Sequence, residues 1–444
     1  MAKQRALSFL LILIFTIQSC SSLPRINDQR PNFLIIVTDD QRFDTMQYMP
    51  YTQQLIFDQG VTFSHGYVTT PYCCPSRASI LTGMYAHNHY VHLNEDKLKF
   101  RTVVDDLHNN GYYTGLVGKY LNSWSDNPRP EFDYWVSFWG GTPKRYYDPR
   151  LNINGVRGKR VGYITYLLRD RVLEFLDKAS QQSKPFLLFF TPNAPHDPFT
   201  PANEDLGLYL DIPKYRPPNF NEADVSDKTH FIQNRPPLTE DDITGTDALR
   251  LAQIQTLASL DRSISEIMKK LKQIGELDNT VIIFISDNGL HWGEHRLNSK
   301  SSAYEESVKV PFAMRYPRLI PKPYTDGRLV ANIDIAPTIY ELSETPIPDT
   351  VDGLSLTKLF SKDTTWRTHL LLEAWPDRGH WTEIHTDQYV YIETDNDLSE
   401  FYDLKADPYQ LDNRTDQPEY QSIVQELKKI LDKEQEPRIP PPEK

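Results

Sequence analysis

The chain has 444 residues but only three cysteines, Cys20, Cys73 and Cys74, and the last two are adjacent. A disulfide framework is therefore not available, which excludes the small stapled folds of many secreted proteins. Positive charge is also scarce, because 48 Lys and Arg are set against 60 Asp and Glu, a formal net charge of −12. This balance argues against a general nucleic-acid binder, which needs a basic face. Aromatic residues, at 12%, are too frequent for a disordered chain.

Long hydrophobic runs are missing as well. The apolar stretch at residues 9–15 is shorter than the roughly 20 apolar residues that a transmembrane helix needs. It follows Lys3 and Arg5 and precedes small residues, the order typical of a secretory signal peptide, which we place at residues 1–20. Residues 17–20 also resemble a bacterial lipoprotein box. Cys20 therefore either carries a lipid, or lies near an ordinary signal-peptide cleavage site and has no role of its own.

Four short apolar runs predict strands that are buried on both faces of a sheet. They are residues 32–37, 113–117, 186–190 and 280–285. Two stretches between them, 164–176 and 254–271, carry apolar residues at helical spacing. Alternating strands and helices predict an α/β fold whose sheet carries helices on both faces, and ligands of such sheets bind at the carboxyl ends of the strands.

The remaining segments divide the chain further. Residues 197–245 are rich in Pro, Asp and Asn and lack periodicity, which predicts a long surface excursion. Beyond about residue 360 the pattern changes to an alternating stretch at 381–394, typical of antiparallel strands, and an amphipathic helix at 420–431. We therefore expect a large domain at 31–355 and a smaller C-terminal α+β subdomain at 360–444.

Oxygen-bearing side chains follow two of the predicted strands. Asp39 and Asp40 come after the first strand, and Asp287 and Asn288 follow the fourth. Each pair alone is typical of a helix cap or a turn. Together they supply hard oxygen ligands and neither sulfur nor imidazole, which favours Ca²⁺ or Mg²⁺ over Zn²⁺.

The other two strands end in residues suited to acid catalysis and to anion binding. His196 follows the strand at 186–190 in a loop held rigid by prolines on both sides, which suits a positioned general acid. Lys119 follows the strand at 113–117, although a Gly-Lys pair alone carries little weight because solvated lysines are common.

The most specific feature of the sequence lies between the first two strands. It is a Cys-x-Pro-Ser-Arg motif closed by Thr-Gly, formed by Cys73, Pro75, Ser76, Arg77, Thr82 and Gly83. Here the chain resembles the type I sulfatases, which are formylglycine-dependent members of the alkaline phosphatase superfamily. The resemblance extends over nearly the whole chain and includes the residues at the strand ends, a Gly-Glu-His segment that ends at His295, and Lys300.

The resemblance implies an alkaline-phosphatase-like α/β fold with a large mixed sheet sandwiched by helices. It also implies a sulfatase catalytic domain at 31–355 and covalent catalysis at Cys73. In this family the first cysteine of the motif is oxidised to Cα-formylglycine by a formylglycine-generating or an anaerobic sulfatase-maturating enzyme. Cys74 lacks the one-residue gap before the proline and is not the modified residue. One hydroxyl of the hydrated aldehyde would attack sulfur and the other would help to expel sulfate. The alternative is a plain cysteine pair before a helix, which we expect over residues 75–84.

The resemblance also implies roles for the charged residues. A divalent cation would be held by Asp39, Asp40, Asp287, Asn288 and the oxidised side chain of Cys73. The sulfate oxygens would be held by Arg77, Lys119 and Lys300. His196 would protonate the leaving alcohol. A direct role for His295 stays open.

Short segments of the sequence indicate which branch of the family the chain resembles most. Many relatives carry a histidine where this chain has Leu121, so a second histidine is not supplied there. The segments 73–77, 87–89 and 118–122 are most similar to the N-acetylglucosamine-6-sulfatases. This similarity implies a sulfated oligosaccharide or polysaccharide substrate, with a 6-O-sulfated hexosamine as the candidate. Four aromatic residues either shape its pocket or pack in the core: Tyr72, Tyr90, Trp124 and Trp139.

Three functions are open at this point. They are hydrolysis of sulfate esters on a glycan, hydrolysis of phosphodiesters or phosphonates by the same chemistry, and glycan binding by a chain whose Cys73 stays a thiol. We expect no nucleic-acid partner and no membrane contact beyond a lipid on Cys20. An exported protein without disulfides fits a bacterial periplasm or cell surface better than a lysosome. Because a polyanionic substrate avoids an acidic protein, we expect positive charge to concentrate at the site.

Overall fold

The computed structural model describes residues 30–124, 127–361, 365–377 and 379–441. The predicted signal peptide and Cys20 lie outside these residues. Within the described ranges, none of the helices combines the length and the apolar character that crossing a bilayer requires.

Ten of the first twelve strands build one central sheet. In chain order the twelve are β1 (Asn32–Thr38), β2 (Val61–Phe63), β3 (Gly66–Tyr67), β4 (Tyr113–Gly118), β5 (Tyr134–Phe138), β6 (Arg150–Ile153), β7 (Val156–Lys159), β8 (Phe186–Thr191), β9 (Thr280–Ser286), β10 (Phe312–Arg315), β11 (Tyr324–Asp326) and β12 (Val330–Ala331). Strands β3 and β12 pair with each other, and the central sheet has the order β11-β2-β10-β9-β1-β8-β4-β5-β6-β7. Its centre is parallel from β9 to β5, whereas β10, β6 and β7 run antiparallel to their neighbours. The sheet is therefore mixed, as the family resemblance implies.

Helices cover both faces of this sheet. In chain order, the α-helices of the described residues are α1 (Pro50–Leu55), α2 (Cys73–Thr82), α3 (Ala86–His89), α4 (Val103–Asn109), α5 (Ile164–Ser180), α6 (His230–Gln233), α7 (Glu240–Gln273), α8 (Glu305–Val308), α9 (Ile335–Leu342) and α10 (Gln421–Glu434). Side chains of β1 alternate between two cores. Phe33 and Ile35 pack in a cluster with residues of α2, α4 and α9, whereas Leu34 and Ile36 pack in a cluster with residues of α5 and α7. This sandwich explains why the central strands are apolar at every position.

A smaller antiparallel sheet lies near the C-terminus, as expected. Its strands follow the chain in the order β13 (His369–Ala374), β14 (Trp381–Thr386), β15 (Tyr389–Thr394) and β16 (Glu400–Asp403). Helix α10 packs its apolar stripe on this sheet, with Leu427 and Leu431 in one cluster with Ile384 of β14. The alternating stretch at 381–394 indicates β14 and β15, but β13 was not predicted.

Two helices begin earlier than the sequence pattern indicates. Helix α2 begins at Cys73 rather than at residue 75, because Tyr72 keeps an extended backbone, and it ends where Gly83 adopts a left-handed conformation with φ 72°. Helix α7 begins at Glu240, inside the predicted excursion, because Thr239 and Asp242 form a reciprocal capping box. The last turn and a half of the excursion is therefore helical.

Gly118 at the end of β4 allows two strands to approach closely beside the site. Its φ is +126°, and a Cβ at this position would lie 2.0 Å from the carbonyl oxygen of Thr191 on β8. The next amide, that of Lys119, donates a hydrogen bond of 2.8 Å to the same oxygen. Only glycine fits this position, and the fit sets where Lys119 leaves the sheet.

We predict that Gly118→Ala lowers the free energy of unfolding by at least about 2 kcal/mol, because the methyl group combines an unfavourable φ with a backbone clash. The midpoint of urea unfolding measures the loss. The matched control is Gly207→Ala, where a Cβ would meet no atom within 4 Å. Equal midpoints for the two variants would contradict the packing argument.

Candidate active site

Parallel pairing brings the acidic strand ends together. Thr38 at the end of β1 is in register with Ser286 at the end of β9. The amide of Asp287 donates to the carbonyl oxygen of Thr38 at 3.0 Å, and the amide of Asp40 donates to Asp287 Oδ1 at 3.2 Å. Asp39, Asp40 and Asp287 are all buried. Three carboxylates are thus enclosed at one edge of the sheet.

Asn288 adds an amide oxygen to this edge. Its Nδ2 donates to Asp40 Oδ1 at 2.6 Å and to the carbonyl of Gly289 at 2.8 Å. Within the described part of the chain, its buried Oδ1 has no hydrogen-bond donor. A buried acceptor without a donor beside three carboxylates is the environment that a hard divalent cation satisfies. The residues predicted as metal ligands therefore fit such an ion.

Cys73 lies in the middle of these groups as the first residue of α2. Its Sγ is 3.7 Å from Asp39 Oδ1 and 2.9 Å from Lys300 Nζ. One ligand atom from each of Asp39, Asp40, Cys73 and His196 lies within 4.8 Å of the others. The amino end of α2 adds a partial positive charge at the same place.

Lys119 and Arg77, two of the residues predicted to bind sulfate, each form a hydrogen bond with a carboxylate of this cluster. Lys119 Nζ donates to Asp39 Oδ2 at 2.7 Å, and Arg77 Nε donates to Asp287 Oδ2 at 2.8 Å. Arg77 also reaches the carbonyl oxygen of Lys119 with Nη1, at 3.0 Å. These two cations are fixed by the acids, which keeps their positions defined before any ligand arrives.

Lys300 is the third cation, and it forms an ion pair with Asp40 Oδ1 as well as contacting Cys73. The three cations therefore face three carboxylates. Positive side chains are concentrated at the site, as expected, but the carboxylates balance the charges of Arg77, Lys119 and Lys300. Protonated His196 and a bound divalent cation would turn this balance positive.

The electrostatics of the acids follow from burial and from these cations. Burial opposes ionisation of Asp39, but Lys119, His196 and Arg77 outweigh it and hold the pKa of Asp39 far below its usual range. Burial and the charge of Asp39 outweigh Arg77 at Asp287 and raise its pKa to about 6. The negative charge of Asp287 is thus the least compensated by neighbouring cations. An additional positive charge would therefore stabilise its ionised form more than that of Asp39 or Asp40.

His196 lies in the loop after β8, with its side chain at the rim of the site. Its Nδ1 is 2.8 Å from the carbonyl oxygen of Asp197, so Nδ1 carries a proton and donates there. Nε2 faces inward, 3.8 Å from Asp40 Oδ2. Burial alone would lower the pKa of His196, but Asp39 and Asp40 outweigh it and raise the pKa to about 9. The protonated ring can therefore donate a proton into the site from Nε2.

Other residues singled out in the sequence lie outside this cluster. His295 is buried, with Nδ1 2.6 Å from Glu222 Oε2 and its ring stacked on Tyr304. Cys74 faces the core, accepts a hydrogen bond of 2.9 Å from the amide of Asn122, and has a pKa raised to about 11 by burial. Leu121 is buried in the core. None of the three side chains contributes an atom to the acidic cluster.

A pocket of about 250 Å³ opens beside Lys300. Tyr72, which sequence reasoning named, lines it together with Phe231 and Asp377, which it did not name. Phe231 lies in the predicted excursion, which gives no local signal for a pocket. Asp377 follows the apolar run of β13, so recognising that strand would have marked the residue. The pocket adjoins the cluster at Lys300.

The other aromatic candidates have different surroundings. Trp124 packs against the main core, and Tyr90 donates its hydroxyl hydrogen to the carbonyl oxygen of Ile439 at 2.5 Å. Trp139 is 41% exposed and lines a separate pocket near the end of β5. Of the four aromatics, Tyr72 is the one that lines the pocket at Lys300.

Comparison with known proteins relates this arrangement to one family. The sequence profile of the family described as Sulfatase matches residues 31–345, and the profile described as N-sulphoglucosamine sulphohydrolase, C-terminal, matches residues 293–437. A Sulf-1 homolog of Caenorhabditis elegans is 35% identical over 79% of this chain and 52% of its own length. This chain thus spans about half the length of that relative.

Two further relatives match over more of their own length. The N-acetylglucosamine-6-sulfatase of Homo sapiens is 35% identical over 78% of this chain and 67% of its own length. A solved structure, described in complex with its substrate D-glucosamine-2-N,6-O-disulfate, is 25% identical with a TM-score of 0.79, and the match covers 91% of this chain and 97% of that chain. The fold is therefore the alkaline-phosphatase-like fold expected from the sequence.

We predict that a divalent cation stabilises the folded chain through Asn288 and the acidic cluster. Saturating Ca²⁺ is expected to raise the melting temperature of the wild type by a few degrees, because it binds the folded state and relieves the repulsion of Asp39 and Asp287. Asn288→Ala is expected to weaken Ca²⁺ binding by about 100-fold. A thermal-shift titration measures both effects.

The matched control for this titration is Asn219→Ala. Asn219 is also buried, but its Nδ2 donates to Glu306 Oε1 at 2.9 Å, outside the acidic cluster. This variant is expected to melt at a lower temperature and to keep the full Ca²⁺ response. An unchanged titration midpoint in Asn288→Ala would exclude Asn288 as a ligand.

Proposed function

The chain belongs to the sulfatase family, and on that premise we propose that it hydrolyses sulfate esters of a sulfated glycan and releases inorganic sulfate. The observation that carries this proposal is the position of Cys73. It is the first residue of its helix, and its Sγ lies between the Lys300 ammonium and the Asp39 carboxylate. A nucleophile derived from this residue would meet a sulfate ester where cations and a helix amino end converge.

Cys73 needs activation to do this chemistry. Oxidation to formylglycine by a maturation enzyme would place a hydrated aldehyde at the start of α2, and its hydroxyl would be the attacking group. The contacts of Cys73 with Lys300 and Asp39 support this role, because the Lys300 ammonium would donate a hydrogen bond to such a hydroxyl and the Asp39 carboxylate would accept one from it. Cys74 is buried against Asn122 and takes no part.

The chain's own cations would hold the sulfate. Arg77, Lys119 and Lys300 approach the cluster from three different elements, so their donors would surround the sulfate oxygens and stabilise the charge that develops on them. His196 would give its Nε2 proton to the leaving oxygen, while its Nδ1 bond to Asp197 keeps the ring oriented.

We infer Ca²⁺ as the resident cation, with Mg²⁺ as the alternative. When bound by Asp39, Asp40, Asp287, Asn288 and the oxidised side chain of residue 73, it would offset sulfate charge and favour ionisation of the attacking hydroxyl. The donor set of carboxylates and one amide oxygen supports a hard ion.

The pocket beside Lys300 would receive the sugar that carries the scissile sulfate. Tyr72 and Phe231 offer aromatic surface and Asp377 offers a carboxylate that can accept hydrogen bonds from sugar hydroxyls. The similarity to N-acetylglucosamine-6-sulfatase supports a 6-O-sulfated hexosamine as the substrate unit. A screen of regiochemically defined sulfated mono- and disaccharides would identify it.

The proposal also covers where the protein is located and how the chain divides into domains. The match to a bacterial N-acetylglucosamine-6-O-sulfatase and to extracellular sulfatases supports an exported protein at a bacterial periplasm or cell surface, with a leader at 1–20 and either cleavage or lipidation at Cys20. The sheet and its helices would form the catalytic domain at 31–355, and the strands from β13 onward the subdomain at 360–444.

We predict that Cys73→Ala lowers kcat for a sulfate ester by at least about 10⁴-fold, because no other side chain replaces the nucleophile. Cys74→Ala is the matched control, and it should turn over close to the wild type. Release of sulfate, followed by ion chromatography, measures both. Undiminished turnover in Cys73→Ala would overturn the mechanism. Faster hydrolysis of the phosphate than of the sulfate ester of one phenol would favour the phosphodiester or phosphonate alternative.

We predict that His196→Ala slows hydrolysis of sugar sulfates by about 10²- to 10⁴-fold and of aryl sulfates much less. A sugar alkoxide needs protonation to leave, whereas a phenolate leaves without it. The ratio of kcat for the two substrates, compared between variant and wild type, measures the effect. Equal losses on both substrates would exclude His196 as the acid.

A further inference from the structure

A second pocket, of about 580 Å³, is open and strongly basic. Four of its lining residues are cations, namely Lys144, Arg145, Arg150 and Lys159. A single acid, Asp148, lines it, and this acid pairs with Lys159 at 3.0 Å. The side chains of this basic pocket thus carry a net charge of about +3 in a chain whose formal net charge is −12.

The cations of the basic pocket are accessible to anions in solution. Lys144, Arg145 and Arg150 are exposed. The Arg150 guanidinium lies 5.1 Å from the ring centroid of Trp139, which holds it against an aromatic face. Cations kept in place in this way bind an anion at a lower entropic cost than freely moving ones.

Topology places this pocket on the same edge of the sheet as the acidic cluster. Trp139 follows the carboxyl end of β5, which is parallel to β4, the strand that ends beside Lys119. Arg150 and Lys159 are paired across β6 and β7 at that same edge. From β1 to β6 the sheet crosses four strand spacings, roughly 20 Å. A monosaccharide cannot bridge that distance, whereas an oligosaccharide can.

A direct hydrogen bond couples the loop of the basic pocket to the catalytic loop. Tyr146, next to Arg145, is buried and donates its hydroxyl hydrogen to the carbonyl oxygen of His196 at 2.7 Å. The two loops are therefore held in a fixed relation, so a ligand in the pocket lies at a defined position relative to the site.

We propose that the basic pocket binds a second anionic group of the substrate chain, a sulfate or carboxylate several sugar units away from the scissile sulfate. This inference rests on the proposed function and deepens it: the preferred substrate is a polyanionic oligosaccharide rather than a monosulfated sugar. The pocket offers the positive charge that the balanced catalytic cluster does not, and it would draw an acidic glycan onto an acidic protein.

The test compares binding and turnover in the double variant Lys144→Gln/Arg145→Gln. Binding of a heparin-derived octasaccharide is measured by calorimetry on the Cys73→Ala background, which keeps the ligand intact. The double variant is expected to bind about tenfold more weakly at physiological ionic strength, with the difference shrinking at high salt. Its turnover of an aryl sulfate, measured with Cys73 in place, is expected to match the wild type.

The matched control, Lys269→Gln/Lys272→Gln, removes the same charge from the end of α7, which precedes the amino end of β9. It is expected to bind the octasaccharide as the wild type does. Equal affinity of the pocket variant and the wild type would overturn the proposal, as would an equal loss in the control or tighter binding of a DNA oligonucleotide of the same charge. Failure of every sulfate ester as a substrate would refute the proposed function, while octasaccharide binding still reports on the pocket.

Discussion

The burial of three carboxylates at the ends of two parallel strands is the constraint on which the rest of this site depends. Asp39, Asp40 and Asp287 are withdrawn from water, and their charges repel one another. Such a group persists only when positive charge or hydrogen-bond donors compensate it. Arg77, Lys119 and Lys300 do so, each from a different element of the fold. The charge pattern therefore fixes the geometry of the whole site before substrate arrives.

The same balance explains how an acidic protein can act on an acidic substrate. Within the catalytic cluster Arg77, Lys119 and Lys300 are matched by carboxylates, so net attraction for sulfate there would come from protonated His196 and from a cation held by the acids and by Asn288. Long-range attraction would come from the basic pocket around Arg145, which lies on the same edge of the sheet. In the proposed function, capture and chemistry would thus be carried out by two surfaces on the same edge of the sheet.

The residues at the strand ends can be predicted from the sequence, whereas the residues that line the two pockets cannot. The strand-end rule places Asp39, Asp287 and Lys119 together, because apolar runs mark parallel strands whose carboxyl ends meet. The pocket residues have no comparable pattern. Phe231 lies in an aperiodic segment, and Asp377 follows β13, a strand not among the predicted ones. The cations of the basic pocket look like ordinary surface charge until the antiparallel pairing of β5, β6 and β7 brings them together.

In the proposed mechanism, residue 73 becomes an oxygen nucleophile that cleaves sulfate esters. The most direct measurement is the mass of the tryptic peptide 43–77 from a preparation whose sulfatase activity has been assayed. Formylglycine lacks the sulfur and two hydrogens of cysteine and gains one oxygen, so the amount of the lighter peptide is expected to rise in proportion to activity. An unmodified Cys73 thiol in a fully active preparation would contradict it.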